Sequence, residues 1–226
     1  MLTGGGKMNE IQSKAKAAKI AGFMYLLIIL SNLLSMALFG SKLETIKDVM
    51  NNETYFRIDT AYSLAMYLCV IVLAVYLYAI VKNINEDLAL LALSFRVGEA
   101  ILGVLGVIFN LLALLILNGQ GHAEIFGAAQ MQTLAQVFQN AYWLVAMVIF
   151  SFLGLGSVIY FYLFFKTNYI PKILSVLGMI SYSLVFTGSF ISIIFSNNAY
   201  MYLGSQAILF EIVIGAWLLF KGIKTD

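Results

Sequence analysis

The sequence predicts an all-α integral membrane protein: a six-span transmembrane helix bundle with both termini on the cytoplasmic side (N-in/C-in). Three observations carry this expectation. Charged residues make up only 11% of the chain while 62% of it is hydrophobic. Six separate apolar stretches are long enough to cross a bilayer, and lysine and arginine collect on one side of them. A soluble domain carries about 25% charged residues, so this chain lacks the polar surface to cover a globule in water.

A spanning helix needs roughly 20 apolar residues to cross about 30 Å of hydrocarbon. Residues 20–39 form the first such stretch. Its apolar run exceeds the roughly 7–15 residues of a signal-peptide h-region and no convincing small-residue cleavage site follows. It is therefore read as a retained span behind a cytoplasmic tail at 1–19. The second stretch (61–81) and the third (88–117) are joined by a tight link and should be antiparallel neighbours. The third is longer than a bilayer requires, so it tilts or projects beyond the bilayer. Residues 123–140 read as amphipathic and helix-permissive, with Phe126, Leu134, Val137 and Phe138 set against Gln130, Gln132, Gln136 and Gln139. They lie at the outer surface or extend the fourth span, 141–165. The one proline, Pro171, falls in the short link before the fifth span (173–195), where it breaks no helix. The sixth span is 202–220, and the membrane domain as a whole is 20–223.

Orientation follows from the positive charges. With six spans, one side holds both termini and the links 82–87 and 166–172. That side carries Lys7, Lys14, Lys16, Lys19, Lys82, Lys166, Lys172, Lys221 and Lys224, whereas the other carries only Lys42, Lys47 and Arg57. Nine against three places the termini in the cytoplasm and the protein in the plasma membrane. Tyr25, Tyr62, Tyr76, Tyr78, Tyr142, Trp143, Tyr160, Tyr162 and Trp217 fall near span ends, as interfacial anchors do.

Three ionisable residues lie deep in spans: Arg96 and Glu99 in the third and Glu211 in the sixth. Insertion of a central Arg or Asp costs about 2.5–3.5 kcal/mol, so such residues face the bundle interior and find partners. At 1.5 Å per residue, Arg96 and Glu99 lie roughly 14 and 18 Å from the cytoplasmic end, and Glu211 about 15 Å from the same side. The three are level. Arg96, Glu99, Gly103, Gly106 and Asn110 follow spacings of 3, 4, 3 and 4, which is one stripe of a helix. Gly204, Glu211, Gly215 and Gly222 form a similar stripe in the sixth span, and glycines on such stripes allow close helix approach. The two stripes are expected to face each other, with Arg96, Glu99, Glu211 and Asn110 as the candidate ligand-binding residues. One guanidinium against two carboxylates leaves a net charge of −1, so such a site keeps one glutamate protonated or holds a cation. The competing reading is glue locking two helices, although polar contacts in membranes average only about 0.6 kcal/mol and offset little of the insertion cost.

Other chemistry is poorly supplied. The single histidine, His122, reads as a loop residue, and with one cysteine, Cys69, it cannot furnish a usual zinc site or a disulfide. A Ser-His-Asp triad would need His122 to reach a serine from outside the membrane. No phosphate-binding glycine loop is present, so no cofactor is expected, and no basic block points to nucleic acid. Residues 52–54 form a glycosylation sequon, relevant only in a eukaryotic secretory pathway. The stripe Ser175, Gly178, Ser189, Ser192 and Ser196 reads as a packing face. Arg57 and Asp59 form either a mouth at the outer end of the second span or a solvated edge.

Five stretches resemble a prokaryotic membrane family, domain of unknown function 4386: AKIAGFMYLLIIL (17–29), YFRIDTAYSLAMYL (55–68), VKNINEDLALLALSFRVGEAIL (81–102), NYIPKILSVLGMISY (168–182) and EIVIGAWLLFKGIK (211–224). They follow in order over nearly the whole chain. The resemblance implies a six-helix prokaryotic membrane protein, with Arg96, Glu99 and Glu211 matching the Arg and Glu of the family's third span and the Glu of its sixth. It implies no activity.

Three functions compete. The first is a transporter or ligand-binding protein taking a small ligand, cation or proton at Arg96, Glu99 and Glu211. The echo of Glu99–Gly103 in Glu211–Gly215 fits an inverted repeat of three plus three spans, and so few helices would call for a homodimer. The second is a non-catalytic scaffold or regulator that binds a partner helix. The third is an intramembrane lipid-modifying enzyme with a glutamate as acid–base, which lacks a visible nucleophile or metal set.

Overall fold

The computed structural model describes residues 4–119 and 127–224, and among them all regular structure is helical. Helix α1 is Gly4–Phe39, α2 is the short Ile46–Asn51, α3 is Glu53–Val81 and α4 is Glu86–Leu117. Helices α5, α6 and α7 are Ala128–Lys166, Lys172–Phe195 and Gln206–Ala216. A 3₁₀ segment, Asn198–Gly204, leads into α7, and a π-turn, Trp217–Lys221, completes it. Six helical segments are long and apolar enough to cross a membrane, and the chain is a multi-pass membrane protein.

Local chemistry sets the helix ends. Thr45 and Asp48 form a reciprocal capping box that starts α2. The Asn85 side chain accepts from the Leu88 amide at 2.9 Å and opens α4 directly after the tight turn from α3. Pro171 stands at the start of α6, where its missing N–H is not needed. Gly222, at φ 69°, ends the π-turn in the left-handed region, where a side chain would be strained.

Two segments take a definite form that the sequence reading left open. The described part of the region expected as a tail, 1–19, is helix continuous with the first span. Residues from Ala128 onward extend the fourth span as one helix, the second of the two arrangements expected for 123–140. Residues 120–126, His122 among them, lie outside the described residues.

The six long helices pack in a closed ring: α1 on α3, α3 on α4, α4 on α5, α5 on α6, α6 on α7 with its 3₁₀ lead-in, and α7 back on α1. The ring corrects the expectation that the glycine stripes of the third and sixth spans face each other. Helices α4 and α7 stand across the ring, not side by side. A Cβ on Gly215 would come within 3.0–3.1 Å of Tyr25 and Leu26 of α1, and one on Gly22 of α1 would come within 2.6 Å of the Gly215 carbonyl. Gly215 thus seats α1, whose backbone approaches closely because Gly22 faces it, whereas Gly204 packs on Val185 of α6.

One end of the bundle gathers both termini and two links. Asn83 donates to Glu10 at 2.6 Å, Lys14 donates to the Tyr169 hydroxyl at 3.3 Å, and the Lys224 amide donates to the Tyr169 carbonyl at 2.9 Å. The far end is closed by α2, where Asn52 donates to the carbonyls of Lys42 and Asp48. Leu30, Ile101, Leu115, Ile194 and Leu209 line the outside of the ring and are exposed, an apolar belt of the kind a bilayer covers favourably.

Candidate functional site

Arg96 and Glu99 project from the middle of α4 into the ring and are 3% and 5% exposed. One helical turn separates them, and they form an ion pair with Arg96 Nη1 2.5 Å from Glu99 Oε2. The approach lies off the hydrogen-bonding direction, so Arg96 Nε and Nη1 and Glu99 Oε2 have no hydrogen-bonded partner. Gly156 of α5 makes room for the arginine stem, since a Cβ there would come within 3.1 Å of Arg96 Cγ. A buried charge with unmatched donors is costly and needs an electrostatic reason to persist.

Glu211 enters the same space from α7. It is half-buried, and the Tyr182 hydroxyl of α6 donates to its Oε1 at 2.9 Å. Glu211, Tyr25 of α1 and Tyr182 are all within electrostatic reach of the guanidinium, as is Tyr160 of α5. The centre is therefore one cation, two carboxylates and three phenols contributed by five helices. The charge count is the one the composition of the spans implies, one positive against two negative.

Asn110 stands elsewhere. Between it and Glu99 the α4 stripe has two glycine gaps, and each is filled by a tyrosine ring. Tyr67 of α3 occupies the space over Gly103, and Tyr142 of α5 lies 3.1–3.3 Å from where a Cβ on Gly106 would be. Beyond them Asn110 lines a cleft of about 550 Å³ at the far end, together with Asp59, Glu44, Gln136, Tyr142 and Trp143. Asp59 accepts from the Ser35 hydroxyl. Arg57, two residues before it, turns away and pairs with Glu53 at 2.7 Å, so of the two residues read as either a mouth or a solvated edge, Asp59 lines the cleft and Arg57 does not.

Sequence reasoning missed the phenols. Tyr25 and Tyr160 were expected at the membrane interface, but they are 3% and 1% exposed. The Tyr160 hydroxyl reaches the Ala74 carbonyl of α3 at 2.9 Å, which satisfies a polar group that lipid could not. Depth counted along the chain does not mark them, since each lies about 9 Å inside Lys19 or Lys166, so an interfacial place is the natural reading. The serines of α6 form a packing face, with Ser175, Ser189 and Ser192 fully buried and Ser189 2.8 Å from Ser151 of α5. Among the described residues no three His, Cys, Asp or Glu side chains gather as a metal site.

A family model described as Domain of unknown function (DUF4386) matches residues 20–222. Neither the curated proteins nor the solved structures contain a match.

Proposed function

Since the chain belongs to the family described as domain of unknown function 4386, whose description assigns no activity, we propose a function from the site alone: the protein binds, and moves, a proton or small cation at the buried Arg96–Glu99–Glu211 centre. Its termini face the cytoplasm of a prokaryotic cell whose plasma membrane it crosses, a reading supported by the nine-to-three distribution of lysine and arginine.

The observation that carries the reading is that the arginine pairs within its own helix. An ion pair between Arg96 and Glu99, both on α4, cannot clamp two helices together, which is what structural glue would require. The contact that does cross helices at this level is the Tyr182–Glu211 hydrogen bond. Glu211 has no ion-pair partner among the described residues, so the second carboxylate is the group that would take up a proton or a cation. Arg96, with unmatched donors and both carboxylates in reach, is the element that would respond by changing partner.

The test is thermal denaturation of the purified protein over a pH series and a series of alkali and alkaline-earth cations, in the parent and in Glu211→Gln. The amide cannot exchange the proton or hold the cation, so any linked stability it contributed disappears. The expected result is a pH- or cation-dependent melting temperature in the parent that is flattened in a folded Glu211→Gln. Identical profiles for the two proteins would overturn the proposal.

A further inference from the structure

The far-end cleft is a second polar space, and it differs in chemistry from the buried centre. Its volume, about 550 Å³, falls within the roughly 300–1,000 Å³ of small-molecule sites. It is far larger than a dehydrated metal ion needs, since such ions take six to eight oxygens at about 2.0–2.6 Å. The carboxylates on its wall are Asp59 and Glu44, and among the described residues no lysine, arginine or histidine lines it. Lys42, which neighbours the wall in sequence, instead holds its ammonium 4.3 Å from the centre of the Tyr55 ring. Asp59 has no ion-pair partner among the described residues, and its one recorded hydrogen bond comes from Ser35.

We propose that this cleft binds a small organic ammonium ion, with Asp59 as the anionic anchor, Tyr142 and Trp143 as the aromatic wall, and Asn110 and Gln136 as hydrogen-bonding groups for the rest of the ligand. Each part of the wall suits that class. A carboxylate left unpaired in a partly enclosed space attracts a cation more strongly than one in open water. Tyrosine and tryptophan attract ammonium groups through their ring faces, and Lys42 on Tyr55 shows the same preference at the edge of this region. The rings of Tyr142 and Trp143 meet edge to face, with centroids 6.0 Å apart, so they enclose a corner instead of a flat slot. Amide side chains both donate and accept, and they would suit a hydroxylated or amide-bearing ammonium better than a bare hydrocarbon one. This assignment does not depend on the buried centre.

The chain has two tryptophans, and Trp217 lies in the π-turn at the terminal end, so Trp217→Phe leaves Trp143 as the sole reporter. In that background, in phosphatidylglycerol nanodiscs at fixed ionic strength, choline should change the fluorescence saturably. The neutral isostere 3,3-dimethylbutan-1-ol should bind at least tenfold more weakly. Asp59→Asn should weaken choline binding at least tenfold and Asn110→Ala a few-fold, while Glu53→Gln, which removes an acid outside the cleft, should leave it unchanged. If Asp59→Asn fails to fold, Asn110→Ala and the isostere carry the decision. Equal binding of choline and its isostere, an equal loss in Glu53→Gln, or no saturable signal would overturn the proposal. Replacing half of the lipid by phosphatidylethanolamine identifies the source of the ammonium. Weaker apparent choline affinity points to a lipid headgroup, and unchanged affinity points to a soluble amine.

Discussion

At mid-bundle, a guanidinium, two carboxylates and three phenols are enclosed by five helices, and the arginine is spent largely on its own helix. At the far end, two carboxylates and several amides border a cleft with Trp143 exposed on its wall. The same stripe of α4 serves both, with Glu99 at one end and Asn110 at the other. The difference lies in what fills the glycine gaps between them. Tyr67 over Gly103 and Tyr142 over Gly106 keep the two regions apart, so one can be dry and electrostatically tight while the other stays accessible. A polar stripe on a membrane helix is therefore a track whose neighbours decide where it is open.

The largest effect that would sharpen this contrast is expected from the tight region. Arg96→Ala removes the one cation that, among the described residues, stands near the two carboxylates, and removing one partner of a buried pair costs roughly 3–5 kcal/mol. A large fall in melting temperature, or failure to accumulate in the membrane, is the expected outcome. A variant as stable as the parent in detergent denaturation would mean that the centre is wetter and weaker than its burial implies.

A smaller effect separates the two ends of the stripe. Gly103→Ala drives a methyl group into the Tyr67 ring, and overpacking of this kind costs about 1–3 kcal/mol. Gly40→Ala, beside the cleft, meets nothing closer than Met36 Cγ at 3.9 Å and should stay within about 0.5 kcal/mol of the parent. Side-by-side denaturation of the two variants measures how differently the regions are packed. Equal costs would erase the distinction.

Much of the fold was legible because bilayer thickness and apolar run length leave few alternatives, and all six spans fall on the observed helices. Depth arithmetic also set Arg96, Glu99 and Glu211 at one level. The neighbours were not legible. A glycine stripe records that something approaches closely, but not whether it is a helix backbone, as at Gly22 and Gly215, or a tyrosine ring, as at Gly103. Ring closure decides that, and it depends on all six helices at once. Asn110 shares a stripe with Glu99 but sits 11 residues further on, about 16 Å along the helix, so a common face did not mean a common site. Tyr25 and Tyr160 were ambiguous because a tyrosine suits both an interface and a buried carbonyl partner.

The smallest expected effect on stability belongs to Asp59→Asn, and it tests the comparison most directly. Asp59 is half-buried at the wall of the cleft, pairs with no cation among the described residues, and accepts from Ser35. An asparagine carbonyl can accept the same bond, so the fold loses neither a salt bridge nor a packing contact, and substitutions of this kind usually fall within about 0.5 kcal/mol. Melting curves of parent and variant without ligand should therefore superimpose, whereas the choline-dependent rise in melting temperature expected of the parent should be lost from the variant. At the buried centre, removing Arg96 instead lowers the stability of the bundle itself. A marked loss of ligand-free stability in Asp59→Asn would instead make its carboxylate part of the framework that holds α1 against α3 through Ser35, and the far end would then resemble mid-bundle in kind.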